Sequence, residues 1–443
     1  MNQPHLSVLI NGNEVDPSII KNFELVCDEE THLPKAILKL NDRTGDKLSE
    51  FYGLQIGTTV KVGVVENDPA AESRYVTLFT DLIIASLSVE VQDETAMNGM
   101  LQILLVHPWF FFKDYTSHAY LGKSNADIIK GLSTDSTNRG FQFPDIIDSL
   151  FDKSDETGSI PRYKCLESDY DFIMNKLLPY TTINGKPPIF WIDEYGNPHL
   201  KSFSSCFAST AKAVGIPHES ASVTEHSDKL SKLVEKNGNM VFLMDNVFIK
   251  IGDENIDKII KVLKSNVMYE NNVTGKIYSG IYYPSIAISS VPTSDSVKTD
   301  GSRLPIDMVA MATVGVTDSK KFIHRNLNDA VALAANTQKP INNMFRIEVT
   351  GQFVGEHVST GDNLYIFVPS KKDLEVGDTS GTSSKSYTHW ISDKWHIRGV
   401  RHFIESDDMV VHTTLYLERP SFMINKDTTK ILSIDSLYGV ANA

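Results

Sequence analysis

The stretch GDNLYIFV, residues 361–368, is a glycine turn that leads into an apolar strand, and its pattern occurs a second time in the chain. The other copy is GTTVKVGV, residues 57–64. In each copy there follow a variable loop, a second strand-like run, an acidic turn and a third run that stops at a proline, Pro108 or Pro420. Apolar runs bounded by glycine and acidic turns are typical of strands. The shared order predicts one small antiparallel β-domain that is used twice.

A second interpretation of the repeat stays open. Strand patterns are short and degenerate, so two β-domains of similar length can share their order by chance. The two interpretations differ over Gly57 and Gly361. Duplication predicts that both glycines occupy matching turns ahead of matching strands, and unlike positions would exclude it.

Length and composition suggest a large, acidic, core-forming chain. The 443 residues suggest about three domains at roughly 150 residues each. Apolar residues make up 41%, and the net charge is −14. This charge argues against a nucleic-acid binder, which needs a basic surface, but not against a pore that nucleic acid passes through. No apolar run approaches the ~20 residues that span a bilayer, so we expect no stable membrane insertion.

The order of strand and helix signals divides the chain into regions. The middle region has helices capped at Ser124 and Ser168 and a hairpin at 189–200, which we expect to offer exposed edges outside the walls of the flanking β-domains. The expected class is α+β, mainly β. The expected regions are a first β-domain at 1–108, an α+β middle domain at 109–265, a second β-domain from 266–290 and 343–420 with a loop and helix inserted at 291–342, and a tail at 421–443.

Candidate catalytic residues are few. Glu167 and Asp171 would lie on one helix face, but a glycosidase needs two carboxylates across a defined gap, and acidic residues also suit a helix N-terminus. The aromatic step at 109–112 could be a ligand platform or the core of a domain junction. We therefore predict no catalytic or cofactor residue.

Metal and disulfide signals are also weak. The late histidines have spacings unlike those of zinc sites, and we expect them at surfaces or interfaces. They are His389, His396, His402 and His412. The three cysteines, Cys27, Cys165 and Cys206, are odd in number and widely spaced, which favours free thiols. We predict no metal ligand.

One segment resembles a known family. The stretch RYKCLESDYDFI, residues 162–173, is similar to the Q-x-x-E-S-D-x-D-F segment of contractile-injection hub proteins, which include myophage baseplate hubs and the hub part of type VI secretion spikes. The order of elements from the alanine-rich segment 329–336 to the last strand pair is also similar. The chain departs from the family pattern in lacking a proline before Gly361, and in Pro179 and the loop at 184–186.

The resemblance implies two tail-tube-like antiparallel β-barrels flanking the α+β middle domain. It implies a homotrimer whose six barrels mimic a hexameric tube ring, and no enzymatic activity. The hub would adapt a six-fold tail tube to a three-fold central spike and line a DNA channel without binding DNA specifically. Implied partners are a separate central spike protein, tail tube or tube-initiator proteins and baseplate wedge proteins. The implied location is the virion tail baseplate, after assembly in the host cytoplasm.

Two alternatives to a structural hub remain at this stage. A tail-associated cell-wall hydrolase would need a convergent carboxylate or metal site. A receptor- or carbohydrate-binding tail protein would be expected to expose aromatic platforms on a terminal domain.

Overall fold

The structure of the protein is a computed structural model. It describes residues 5–42, 53–66, 74–91, 99–111, 115–134, 148–156, 161–218, 235, 240–251, 265–270, 277–282, 332, 336, 345–353, 355, 358–368, 391–404 and 410–419. The expected insertion at 291–342 and the tail at 421–443 lie outside these residues, apart from Ala332 and Asn336. The fold is mainly β with short helices, which confirms the expected class.

The first β-domain wraps one sheet around one core. Its strands are β1 His5–Ile10, β2 Asn13–Glu14, β3 Ile20–Asp28, β4 Lys35–Asp42, β5 Thr59–Glu66, β6 Arg74–Leu78, β7 Leu82–Val91 and β8 Gly99–Val106. The order β3-β4-β8-β7-β5-β1-β2 is antiparallel throughout. Every second residue of β1 is fully buried, at Leu6, Val8 and Ile10, because alternate side chains of a strand point to the same face. In the described residues β1 and β3 do not pair, so this barrel is open there.

The middle domain combines short helices with two hairpins. Its elements are α1 Pro108–Phe111, β9 Thr116–Tyr120, α2 Asn125–Thr134, β10 Arg162–Glu167, α3 Asp169–Phe172, β11 Pro188–Ile192, β12 Pro198–Ser202 and α4 Phe203–Ala208. Helix α3 continues through a wider turn, Ile173–Leu177, and a tighter one, Leu178–Tyr180. Short 3-10 turns lie at Pro17–Ile19 and Asp148–Leu150. Within the described residues, none of the helices is long and apolar enough to span a membrane.

The expected helix caps are confirmed. The Ser124 hydroxyl accepts a hydrogen bond from the Asp127 amide at 3.1 Å, and the Ser168 hydroxyl accepts one from the Asp171 amide at 3.0 Å. Each bond satisfies an amide that the first helical turn leaves without a partner. Within the aromatic step, Trp109 is buried in the core of this domain beside Leu33, as a domain-junction core predicts, whereas the Phe110 side chain is 43% exposed.

The second β-domain is a closed barrel. The remaining strands are β13 Ala213–Pro217, β14 Val241–Ile251, β15 Ser265–Glu270, β16 Ile277–Tyr282, β17 Phe345–Gln352, β18 Asn363–Ile366, β19 Lys394–Ile404 and β20 Val411–Arg419. The order β13-β14-β17-β20-β19-β18 closes because β18 also pairs with β13. Phe242, Leu364, Trp395 and Leu415 fill its interior.

The position of the second barrel in the sequence differs from the expected range. Strands β13 and β14 belong to the closed barrel, although both fall within the range 109–265 expected for the middle domain. Strands β15 and β16, in the range expected to start the barrel, pair with each other. The short strand β13 joins the barrel through parallel pairing with β14 and β18, and such pairing leaves no local turn signal in the sequence.

The two barrels share the order and orientation of five strands. The run β5-β7-β8-β4-β3 in the first barrel corresponds to β18-β19-β20-β17-β14 in the second, and every neighbouring pair is antiparallel in both. The sixth strands differ, because β1 lies antiparallel to β5 whereas β13 lies parallel to β18.

Two register shifts fall at the same places in both barrels. Strand β3 shifts against β4 between Ile20 and Asn22, and β14 shifts against β17 between Met244 and Asn246. Strand β7 shifts against β8 between Ile84 and Ser86, and β19 shifts against β20 between Ile397 and Gly399. Such bulges re-aim a strand and are specific features of a fold. Chance similarity of strand order does not account for two matched shifts.

The turns that open the repeat also match. Gly57 and Gly361 have φ angles of 90° and 92°, in the region that favours glycine. The Gly57 amide donates to the Ile84 carbonyl at 2.8 Å, and the Gly361 amide donates to the Ile397 carbonyl at 2.8 Å. The two glycines therefore precede matching strands of the shared five-strand run, as duplication predicts. Outside 343–420, the second copy takes its strands from 213–217 and 241–251 rather than from the expected 266–290.

Candidate functional site

The two barrels are joined by strand pairing. Residues 24–28 of β3 pair antiparallel with residues 399–403 of β19, which places Leu25 opposite His402 and Cys27 opposite Val400. All four side chains are buried. The Phe79 ring of the first barrel lies 5.1 Å from the His402 ring, measured between centroids. The two barrels thus share one continuous sheet and apolar contacts.

Ion pairs line one end of this junction. Arg398 lies 3.3 Å from Asp28 and 2.8 Å from Glu30, and Arg401 lies 3.0 Å from Glu24. Burial raises the pKa of Asp28 to about 6, against the opposing effect of the Arg398 guanidinium. Burial would lower the pKa of Arg398, but Asp28, Glu418 and Glu30 outweigh it and raise that pKa. These charges favour the pairing of β3 with β19.

The β11–β12 hairpin wedges between the barrels. The Cys27 thiol donates to the Ile192 carbonyl at 3.0 Å, and the Thr80 amide donates to the Glu194 carbonyl at 2.8 Å. The Trp191 indole donates to the Thr360 carbonyl of the second barrel at 3.2 Å. The expectation that this hairpin offers exposed edges is wrong. Phe190, Ile192 and Leu200 are packed in the core of the middle domain. Trp191 lies against the Thr360–Gly361 turn of the second barrel, and the polar turn of the hairpin made it resemble a surface loop.

Glu194, in the hairpin turn, is a fully buried carboxyl group. Burial raises its pKa to about 8, and the neighbouring Asp193 charge adds to the effect. The Thr360 amide lies 3.4 Å from Glu194 Oε2, whereas Oε1 has no hydrogen-bond partner in the described part of the chain. Burial therefore favours the protonated form of Glu194.

A second buried polar cluster joins α4 to the junction. Glu29, Cys206 and His396 bring three possible metal-ligating atoms within 4.8 Å of one another. These donor types suit zinc, but His396 Nε2 already lies 2.8 Å from Glu29 Oε1, and burial raises the pKa of the Cys206 thiol. The contacts favour a structural role. The expectation of no metal ligand stays a prediction.

The residues considered for catalysis are held in structural roles. Glu167 Oε1 accepts hydrogen bonds from the Cys165 amide at 3.0 Å and from Lys176 Nζ at 2.7 Å. Asp171 Oδ2 accepts one from the Ser168 hydroxyl at 2.6 Å. Both carboxylates stabilise the start of α3, as acidic residues at a helix N-terminus do.

A cleft of about 520 Å³ lies beside the hairpin. Its lining includes Trp191, Asp193, His199 and Asp362. Asp193 Oδ1 accepts from the Tyr195 and Asn197 amides, and Oδ2 lies 2.8 Å from His199 Nε2. Asp362 Oδ2 accepts from the Ser359 amide at 3.2 Å. Both carboxylates accept backbone hydrogen bonds that hold turns.

The late histidines lie deeper than expected. His402 is buried between the barrels, and burial lowers its pKa to about 3. Its Nδ1 lies 3.0 Å from the Thr413 hydroxyl. His396 is buried in the cluster with Glu29, and His412 stacks on Phe403 with 5.6 Å between ring centroids. His402 lies at an interface, the one between the two barrels of the chain, as expected. A surface position is wrong for His396. His389 lies outside the described residues.

Thiol labelling should distinguish the three cysteines. Cys27 and Cys206 are buried, and burial raises the pKa of both thiols, whereas Cys165 is exposed. Because the thiolate is the reactive form, we expect the native protein to take up one equivalent of iodoacetamide, at Cys165, and three after denaturation. Mass spectrometry of the labelled peptides measures this. Rapid native labelling at Cys27 would contradict the described junction.

Comparison with known proteins shows which solved structures this architecture resembles. No protein-family model matches the sequence, and no curated protein matches it. The structure is similar to the 43 kDa tail protein of prophage MuSo2 from Shewanella oneidensis, with a TM-score of 0.51 and 8% identity over 94% of this chain and 98% of that one.

Two further solved structures are similar at TM-scores below 0.5. The tail protein from Neisseria meningitidis MC58 gives 0.48 at 11% identity, covering 95% of this chain and 98% of that one. The Escherichia coli c3393 protein, described as a component of the type VI secretion system, gives 0.44 at 9% identity, covering 93% and 76%. The likeness to the Shewanella protein shows that the chain has the fold of that prophage tail protein, in agreement with the fold that the sequence resemblance implies.

Proposed function

We propose that the protein is a structural baseplate hub of a phage tail, a trimeric adaptor between a six-fold tail tube and a three-fold central spike. The observation that carries the proposal is the presence of two equivalent barrels in one chain, joined by strand pairing. The tail-protein fold supports it. Three chains would supply six barrels, which is the number that a six-fold tube presents to its neighbour.

The hub forms a ring around a channel through which DNA passes. The net charge of −14 suits such a channel, because an acidic wall does not hold the phosphate backbone. Its partners are a central spike protein on one side, tail tube or tube-initiator proteins on the other, and wedge proteins at the periphery. The proposed location is the tail baseplate of the virion, reached after assembly in the host cytoplasm.

The proposal excludes an enzymatic role, and the two alternatives have their own tests. In the described residues the carboxylates considered for catalysis hold turns and helix ends. Clearing of peptidoglycan in a zymogram would favour a cell-wall hydrolase. Specific signals on a glycan array would favour a receptor-binding tail protein.

The oligomeric state tests the proposal most directly. We expect mass photometry of the purified protein, alone or with its spike, to give a species of three chains. Averaged electron micrographs should show a ring with six similar lobes and a central channel. A strict monomer, or a hexamer, in complex with the spike would contradict the proposal.

A further inference from the structure

Two strand edges are left open, one on each barrel. The β5 side of β7 is paired only at Leu82 and Ile83, so residues 86–91 have no partner there in the described part of the chain. The β13 side of β14 is paired only at 241–244, so residues 245–251 have none there either. Open edges invite pairing with another chain, and proteins usually protect them.

These open edges are the counterparts of the two edges that join the barrels. When the register shift after Ile84 is aligned with the shift after Ile397, residues 87–90 of β7 correspond to residues 400–403 of β19. Residues 400–403 are part of the segment that pairs with β3. Aligning the shift after Ile20 with that after Met244 places 24–27 on 248–251. Each barrel thus has one edge of the β3 type and one edge of the β19 type. The edges of β3 and β19 pair with each other inside the chain, whereas the corresponding edges of β14 and β7 are open.

We infer that the open edge of β14 pairs antiparallel with the open edge of β7 in a neighbouring copy of this chain, repeating the β3–β19 junction between subunits. The register follows from the observed junction. The expected opposite pairs are Leu87 with Ile251, Ser88 with Lys250, Val89 with Ile249 and Glu90 with Phe248. The contact is head-to-tail, and a head-to-tail contact forms a ring when the rotation between copies closes. That closure, with three copies, rests on the proposed function.

The exposure of apolar side chains supports this pairing. Val89 is 65% exposed, whereas its counterpart His402 is 1% exposed in the observed junction. Phe248, on the open edge of β14, is 64% exposed. Large apolar side chains on an open edge mark an interaction or aggregation site. Pairing in the inferred register covers both.

Disulfide trapping tests the register in the full chain. The variant Ser88→Cys with Lys250→Cys, in a Cys165→Ser background, should oxidise to covalent trimers on a non-reducing gel, because opposite residues on paired strands lie within disulfide reach. The matched control, Glu90→Cys with Lys250→Cys, keeps Val89 and Phe248, is displaced by two residues along the strand, and should cross-link at least tenfold more slowly. Equal rates would overturn the register.

Charge substitutions test the edges independently. Val89→Asp should weaken association by roughly a hundredfold, since a charge would be buried without a partner at the counterpart of His402, which is 1% exposed in the observed junction. Phe248→Asp should also weaken association, because the new carboxylate would lie opposite Glu90 of the neighbouring copy. Tyr163→Asp removes another exposed ring, 57% exposed and in the middle domain, and should leave association unchanged. Unchanged melting by circular dichroism would show that the monomers still fold.

The outcomes separate this inference from the proposed function. If the wild type is trimeric but the Ser88→Cys, Lys250→Cys variant fails to cross-link, the edge pairing is overturned and the trimeric hub stands. Cross-linked rings of the variant with another number of chains would support the edge pairing and overturn the three-copy adaptor. A monomeric wild type together with a variant that does not cross-link would overturn both.

Discussion

Replacing Gly361 with alanine should be the most destabilising single change at the junction of the hairpin with the second barrel. A Cβ at this position would lie 2.2 Å from Cζ2 of the buried Trp191, and the backbone φ is +92°. Overpacking and an unfavourable φ together should lower the free energy of unfolding by about 2–4 kcal/mol. Urea denaturation followed by tryptophan fluorescence measures this change.

Gly12 provides the matched control for this substitution. Its φ is +80°, but a Cβ there would meet nothing within 4 Å. Gly12→Ala should therefore cost only the conformational part, about 1 kcal/mol. If Gly361→Ala costs no more than Gly12→Ala, the close approach to Trp191 is not what the structure describes. If Gly361→Ala does not fold, adding Trp191→Phe should restore folding by removing part of the clash.

Glu194→Gln should remove a pH dependence of stability. The pKa of Glu194 is about 8 in the folded protein, against an ordinary value of 4.5. Between these values the folded state holds a proton that the unfolded state has lost. Stability therefore falls as pH rises from about 5 to about 8, at up to roughly 1.4 kcal/mol per pH unit for one proton. The glutamine variant keeps the shape without the titration, so its excess stability should grow with pH.

The measurement is the free energy of unfolding of both proteins at pH 5, 6, 7 and 8. Taking the difference cancels groups common to both, such as Asp28 and His402, which titrate in neighbouring ranges. Glu14→Gln alters an exposed carboxylate and should give a curve parallel to that of the wild type. A constant difference between wild type and Glu194→Gln would show that Glu194 is already ionised in the fold.

The repeated domain could be predicted from the sequence because its signals are local. Gly57 and Gly361 each require a positive φ, and the strands that follow have apolar runs ending at a proline. The helix caps at Ser124 and Ser168 depend on residues only three positions away, so they could also be predicted from the sequence. Turn chemistry and short-range periodicity were enough for these elements.

The junction could not be predicted in the same way. Strand β13 pairs with β18, which lies far away in the sequence, so nothing local marks it as part of a barrel. The turn that holds Glu194 is rich in polar residues, and only the packing of two barrels against it buries the carboxyl group. The matched register shifts at Ile84 and Ile397 could not be predicted either, because a one-residue shift does not change the composition of a strand.

The difference between the sixth strands of the two barrels has a consequence for symmetry. Five strands agree in order and direction, whereas β1 runs antiparallel to β5 and β13 runs parallel to β18. In a ring of three chains, a surface built from the shared strands would repeat after each rotation of 60° about the ring axis. A surface built from β1 and β13 would repeat only after each rotation of 120°. Reversing one strand in one of two copies would thus let a single ring present two different rotational symmetries to two different neighbours, without distorting either barrel.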